Sequence, residues 1–353
     1  MTRTDIVWSE QGTTPDAIEA ALRGLLVEAH AEHSEFAPAR VLNMIAFVDR
    51  EWSGEIANRL RGVGRYHASR MVVLSYEPRR ERLDARVLIA SDELRAPGEL
   101  ALLRETVVVE LGDRHLDDLQ TIADPLVVTD LPTLLWSPHG HYEVITELLP
   151  LAQAVLLDSV EEPDPQAALE RACVLSERAY VVDLAWLRST PWRERVAALF
   201  DPAARRRELS IISAVTVRHH QASTVAAALL VGWLASRLRW QPGRLISHDG
   251  SLRGTAHASR QDVAVRLQIA PELQVPGLAG LTIETAAGHR LTLDRGRGGL
   301  RADFLGPGEP EREWTIPGAS RGETGVLGEG IRQALLRDPT YLPAVQVART
   351  MLS

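Results

Sequence analysis

The chain contains no lysine: all 39 of its basic residues are arginine. A phosphate-loop lysine, a Schiff-base lysine and a lysine general base are therefore excluded together. Cysteine is nearly missing as well, and the single Cys173 cannot form an internal disulfide. Basic charge is in deficit, with 47 acidic residues and a formal net charge of −8. That balance argues against a general nucleic-acid or anionic-membrane binder, which needs a basic face to capture phosphates. The N-terminus lacks the basic segment and apolar run of a secretory signal. The longest strongly apolar run, Val225 to Ala235, falls short of the ~18 residues a membrane span requires. The cytoplasm is the expected compartment, and no membrane contact is expected.

Familiar catalytic devices are missing too. No G-x-S-x-G elbow occurs, and Cys173 has no credible base beside it in the sequence. Gly62-Val-Gly64 lacks the third glycine of a dinucleotide loop and lies at the wrong end of its helix. Arg295-Gly-Arg-Gly-Gly299 follows a strand but opens no helix, so both read as turns. His30 with His33, and His139 with His141, bring no carboxylate or cysteine at metal-ligand spacing. Neither a cofactor nor a metal is expected, and no catalytic residue can be assigned.

What is present is enough apolar sequence, 45% of 353 residues, for two domains. Thr14-Pro15 opens a helix with Ile18, Leu22, Leu25 and Leu26 on its apolar face. Val41 to Val48 reads as a strand, Trp52 to Leu60 as a helix and Met71 to Tyr76 as a second strand, a candidate βαβ unit. Leu83 to Ala90 and Thr106 to Leu111 add strands. Asp124 to Pro138 places apolar residues between prolines, and Trp136 should end the strand there. Ala154 to Leu157 is a further strand, and the acid- and proline-rich Glu161 to Pro165 is the best domain boundary. Beyond Arg244, segments such as Val263 to Ile269 and Leu281 to Thr285 alternate apolar and polar residues between glycine-rich turns, the pattern of an antiparallel sheet. The expected fold class is α/β: an N-terminal α/β domain (1–160) with a mixed, mainly parallel sheet, then an α+β C-terminal domain (161–353).

One stretch stands apart. From Asp183 to Arg193 the chain concentrates tryptophan and arginine. Asp183 reads as a cap at a strand-to-helix junction, and Thr190 as the cap of a helix beginning with Pro191. Trp192, Val196, Leu199 and Phe200 recur on one helical face, so Trp192 should be core and Arg193, turned about 100° away, should reach solvent or a partner. Trp186, Arg188, Trp192 and Arg193 combine the residue types enriched at protein interfaces, although tryptophans packed in an interdomain core would look the same. Glu208 to Arg218 reads as a strand with His219 and His220 at its end, where successive side chains point to opposite faces, so one of His219 and His220 should be buried and the other exposed.

With these residues in view, the chain resembles the glucose-6-phosphate dehydrogenase assembly protein family, OpcA, along most of its length. Asp183-Leu-Ala-Trp-Leu-Arg-Ser-Thr-Pro-Trp-Arg is similar to the family's D-L-x-W-x-R-x-x-P-W-R. Leu229-Leu-Val-Gly-Trp-Leu-Ala-Ser-Arg-Leu-Arg-Trp240 is similar to its L-L-x-G-W-L-A-x-R-L-x-W. Asp130-Leu-Pro-Thr-Leu-Leu-Trp136 matches a central D-x-P-x-x-L-W, and His67-Ala-Ser-Arg70 a weaker H-P-x-R with alanine in place of proline. The resemblance implies a noncatalytic protein that binds glucose-6-phosphate dehydrogenase, promotes its active oligomer and raises its activity at the entry to the oxidative pentose phosphate pathway. Under that implication Trp186, Arg188, Arg193, Arg218 and His219 are the expected partner-binding residues. A lone Cys173 makes redox-independent behaviour the expectation. Two other readings remain: a regulatory module in which Arg188, Arg193, Arg218 and His219 hold a sugar phosphate, and a hydrolase. The chain's own oligomeric state is open.

Overall fold

The computed structural model describes residues 6–32, 36–37, 40–63, 69–91, 101–296, 298–308, 312–317 and 322–353. The readings at His33, Gly64, His67 and Arg297 lie outside the described residues. The polypeptide divides into two units: Met1–Leu157 with Arg178–Val182 and Leu327–Leu336, and Asp158–Glu177 with Asp183–Val326 and Arg337–Ser353.

In the first unit the chain runs β1 (Ile6–Glu10), α1 (Pro15–Glu32), β2 (Phe36–Ala37), β3 (Leu42–Asp49), α2 (Arg50–Val63), β4 (Ser69–Tyr76), β5 (Asp84–Ser91), β6 (Ala101–Leu111), α3 (Leu119–Ala123), β7 (Thr133–Trp136), α4 (Tyr142–Leu148) and β8 (Ala154–Leu157). After α5 (Pro165–Ser176), β9 (Tyr180–Asp183) joins the same sheet beside β8. The strand order is β1-β5-β6-β4-β3-β7-β8-β9, with β2 also paired to β6. Strands β6, β4, β3, β7 and β8 are parallel to their neighbours in that series, while β5 and β1 are antiparallel additions at one edge. Every residue of β3 from Leu42 to Val48 is buried, as a parallel strand covered on both faces must be. The expected βαβ unit is β3, α2 and β4, and β7 ends at Trp136 as its flanking prolines predict.

The second unit continues with α6 (Leu184–Arg188), α7 (Thr190–Phe200), α8 (Ala203–Arg206), β10 (Ile212–His219), α9 (Thr224–Leu238), β11 (Gln241–Pro242), β12 (Ile246–His248), β13 (Ser251–His257), β14 (Asp262–Ile269), β15 (Leu278–Thr285), β16 (Arg290–Gly296), β17 (Gly299–Leu305) and β18 (Arg312–Pro317); α10 (Gly322–Leu336) follows, its Leu327–Leu336 portion belonging to the first unit, and α11 (Tyr341–Leu352) closes the second. Its sheet is ordered β11-β13-β14-β10-β15-β16-β17-β18, with β12 on β13, and only the β10–β14 pairing is parallel. The alternation legible in β14 is real: Val263, Val265 and Leu267 are buried while Arg266 is exposed. Helix α9 covers that apolar face and packs against α11. All of Val225 to Ala235 is buried except half-buried Trp233, as an all-round apolar run requires. Gly232 marks the closest approach, since a Cβ there would lie 2.3 Å from the Ala344 carbonyl oxygen of α11. Among the described residues no helix is long and apolar enough to cross a membrane.

Candidate functional site

The tryptophan- and arginine-rich stretch forms a closed polar network within the second unit. Asp183 is 1% exposed and caps α6, its Oδ1 accepting from the Ala185 amide at 2.9 Å. The Ser159 amide (3.1 Å) and hydroxyl (2.7 Å) and the Tyr341 hydroxyl (3.0 Å) donate to the same carboxylate. Burial, reinforced by the negative charge of Asp158, nonetheless pushes the Asp183 pKa up to about 6. Four donors reduce that penalty without cancelling it.

One turn along, the Trp186 indole donates to Asp338 at 2.9 Å, and its ring meets Tyr341 edge-on at 5.6 Å. The Arg193 guanidinium lies 3.4 Å over the Trp186 ring, donates to the Trp186 carbonyl at 2.6 Å, and also reaches the Ser189 and Thr190 hydroxyls. Burial lowers the Arg193 pKa to about 10, which leaves the group charged at neutral pH. Burial also presses on Asp338, but hydrogen bonds from Thr340 and Trp186 and the charge of Arg193 hold its carboxyl below the usual range.

Three of the five expected partner-binding side chains are thus out of direct reach of a partner: Trp186 (2% exposed), Arg193 (7%) and His219 (2%). For Arg193 this corrects the helical-wheel expectation. The 100° step does turn it off the Trp192 face, but α6 lies on that side and takes the guanidinium onto its indole. Trp192, Val196, Leu199 and Phe200 are core as the spacing predicts. Thr190 does not cap α7. Ser189 takes the flanking position, and the Thr190 hydroxyl accepts from Arg193 instead.

Arg188 and Arg218 keep partial exposure. The Arg188 Nη1 spans both oxygens of Asp158, at 2.6 and 2.8 Å, and Arg218 pairs with Asp294 two strands away. His219 is buried with its Nδ1 at 2.8 Å from the His220 carbonyl, and burial lowers its pKa. His220 is half-buried and its Nδ1 accepts from the Ala222 amide. The structure therefore brings Trp186 and Arg193 together, while Arg188, Arg218 and His219 each serve different neighbours. The residues missed from sequence are Asp158, Ser159, Asp338 and Tyr341. Asp338 carried a readable signal, because Asp-Pro-Thr340 ahead of an apolar helical run is a turn in which Asp338 accepts from the Thr340 amide and hydroxyl. Nothing in the spacing of Ser159 or Tyr341 points to Asp183.

In the first unit, the carboxyl ends of the parallel strands form the crevice where open α/β sheets bind ligands, at the point where successive strands switch from one side of β3 to the other. Its own side chains fill it. Asp49 ends β3 and Arg50 opens α2 with no loop between them. His141, at φ 56°, reaches Asp49 at 3.0 Å and packs on Phe47 and Tyr76. The Tyr76 hydroxyl donates to Asp113, and that bond, with burial, pushes its pKa up to about 12. The Trp52 and His139 rings lie 5.2 Å apart, tilted by 38°. Among the described residues no glycine turn leads from a strand of this crevice to a helix N-terminus, the feature that a dinucleotide pyrophosphate requires.

Two family models match the chain one after the other. Residues 61–173 match the family described as glucose-6-phosphate dehydrogenase subunit N-terminal domain, and residues 179–345 the one described as its C-terminal domain. The chain belongs to the OpcA family of glucose-6-phosphate dehydrogenase assembly proteins. Among curated relatives, an OxPP cycle protein OpcA of Synechococcus elongatus is 27% identical over 195 residues, covering 53% of this chain and 43% of that protein. Its counterpart in Nostoc punctiforme is 34% identical over 121 residues, covering 33% and 26%. The chain thus spans less than half the length of each. Solved structures that it is similar to include an oxidoreductase domain protein from Kribbella flavida (14% identity, TM-score 0.46, 87% of this chain and 94% of that one). Another is an apo scyllo-inositol dehydrogenase from Lactobacillus casei (10%, 0.44, 89% and 96%). At those TM-scores neither likeness bears on what this chain does.

Proposed function

We propose that the chain is a noncatalytic assembly factor and allosteric activator that binds glucose-6-phosphate dehydrogenase and promotes its active oligomer in the oxidative pentose phosphate pathway. The observation that carries this reading is the pair of family matches, N-terminal then C-terminal, in chain order over 61–173 and 179–345. The geometry supports it in one respect. The family-like motif residues are spent on one another rather than on an open pocket, which suits a scaffold that fixes a surface. In this reading Arg188 and Arg218 contact the partner, and Trp186, Arg193 and His219 hold the elements beneath them. The sugar-phosphate alternative gains nothing, since the arginines it needs do not converge.

The test is the velocity and oligomeric state of the purified dehydrogenase from the same source, measured with and without the chain. A rise in both supports the proposal. A direct binding measurement with no complex, together with unchanged velocity, rejects it.

A further inference from the structure

The face of the second sheet opposite α9 presents an ordered row of side chains. Cross-strand register places Arg253 of β13 opposite Arg266 of β14, Arg266 opposite Thr216 of β10, and Thr216 opposite Thr282 of β15. The row continues through Thr292 of β16 and Asp303 of β17 to Glu313 of β18. Directly paired residues share a face, so these seven lie on one side of the sheet. Read across the strands, the charges are two positive, three neutral and two negative.

The row is open. Arg253, Arg266 and Glu313 are exposed, and the three threonines and Asp303 are half-buried. Two arginines directly opposite each other repel. Among the described residues neither has an acidic partner, whereas the acids at the other end share Arg301. In the next row Arg218 and Asp294 pair across Gly280, and Arg301 follows Asp294 on β17. The middle of the face sets the small residues Ala214, Ala264, Thr216, Thr282, Thr292 and Gly280 beside the Glu284–Arg290 ion pair.

We propose that this face is a self-complementary interface that takes a second copy of the same chain. A twofold axis lying along β15, between two sheets packed face to face, places Arg253 over Glu313 of the partner subunit and Arg266 over Asp303 of the partner subunit. The reciprocal pairs form at the other edge, as an isologous contact demands. Thr282 meets its own copy on the axis, and the small residues between let the sheets approach to roughly 10 Å. A twofold across the strands would instead set arginine over arginine, so charge selects one orientation. The patch spans seven strands at ~4.8 Å and about five residues along each, on the order of 500 Å² per copy, which is near the lower bound for a specific contact. The dimer is therefore weak and salt-sensitive. This inference does not depend on dehydrogenase binding.

The test is sedimentation of the full chain alone across a concentration series, at low and high salt. A dimer that weakens with salt is expected. Arg253→Glu with Arg266→Glu should weaken it about 10-fold or more, and Asp303→Arg with Glu313→Arg should do the same. Mixed together, the two variants should form a heterodimer, because four acids on one copy then face four arginines on the other. Should Asp303→Arg disturb folding, as its melting curve would show, Glu313→Arg alone replaces it. A chain monomeric at every concentration, a dimer indifferent to the reversals, or reversed variants that do not pair with each other overturns the proposal.

Discussion

Arg193 keeps its charge in a nearly closed site because an aromatic face, a backbone carbonyl and two hydroxyls converge on one guanidinium, with the Asp338 carboxylate nearby. Truncation leaves those acceptors without a donor, so Arg193→Ala should lower stability by about 2 to 4 kcal/mol, the scale of charged hydrogen bonds plus a desolvated cation–π contact. Arg188→Ala removes a guanidinium that is 28% exposed from an Asp158 carboxylate that is 7% exposed, and should cost about 1 to 2 kcal/mol while acting mainly on dehydrogenase binding. Denaturant melts of both variants, with dehydrogenase affinity measured beside them, separate the two roles. Equal destabilisation would contradict the assignment. Asp183 behaves unlike most carboxylates. Its folded pKa, about 6, lies above the ordinary value of ~3.9, so the folded state takes up a proton before the unfolded one does. Its penalty is fully present above pH 6 and is relieved as pH falls from 6 toward 4. Buried His219, with its lowered pKa, opposes this, since the unfolded chain protonates first as pH falls through the usual histidine range. The difference between wild type and Asp183→Asn isolates the aspartate: the variant should gain relative stability at pH 7 and lose that advantage by pH 4.5. A pH-independent difference between the two melting curves would assign Asp183 no such titration.

Helix α9 is the element on which the second unit is built, wedged between its sheet and α11. Leu230 is fully buried, and Leu230→Ala should cost about 2 to 5 kcal/mol. Gly232→Ala is the sharper experiment. Alanine is the better helix former by ~1 kcal/mol, so an open site would be stabilised. Here the new methyl would collide with the Ala344 carbonyl, α9 and α11 would have to separate, and a loss of about 1 to 3 kcal/mol is expected. Unfolding in urea reads the sign directly. This helix was legible in advance because an apolar run with no polar side has only one place to go, and so were β3, β4, β8 and β14 through their runs and alternation. Strands β11, β12 and β18 were not, since short polar edge strands carry little period to read. Glu208 to Ile211, expected as strand, coils as a 3-10 turn, and the alternation begins only at Ile212. The site was half legible. Asp183 as a cap follows from its place between a strand and a helix, but the folding of Arg193 back onto Trp186 depends on the angle between α6 and α7. Tyr341, 158 residues from Asp183, could be found only in three dimensions.

At the scale of the whole molecule, the parallel sheet of the first unit shows no glycine turn for a dinucleotide among the described residues. A dinucleotide needs a glycine turn that exposes a helix N-terminus to its pyrophosphate. Here β3 passes straight into α2, and the first turn carries Glu51 beside Asp49, which repel a phosphate. His141, Tyr76 and Phe47 occupy the space above. The chain also has no lysine anywhere to act as a base or hold a phosphate. We therefore expect the pure chain to show no reduction of NADP with glucose 6-phosphate and no saturable NADPH binding by fluorescence, while the same preparation raises the velocity of added dehydrogenase. Opening the crevice by Asp49→Gly with His141→Gly should create no activity, because the phosphate-binding turn would still be missing. Saturable turnover by the chain alone, abolished by those two changes, would place a working active site in that crevice and refute the noncatalytic reading.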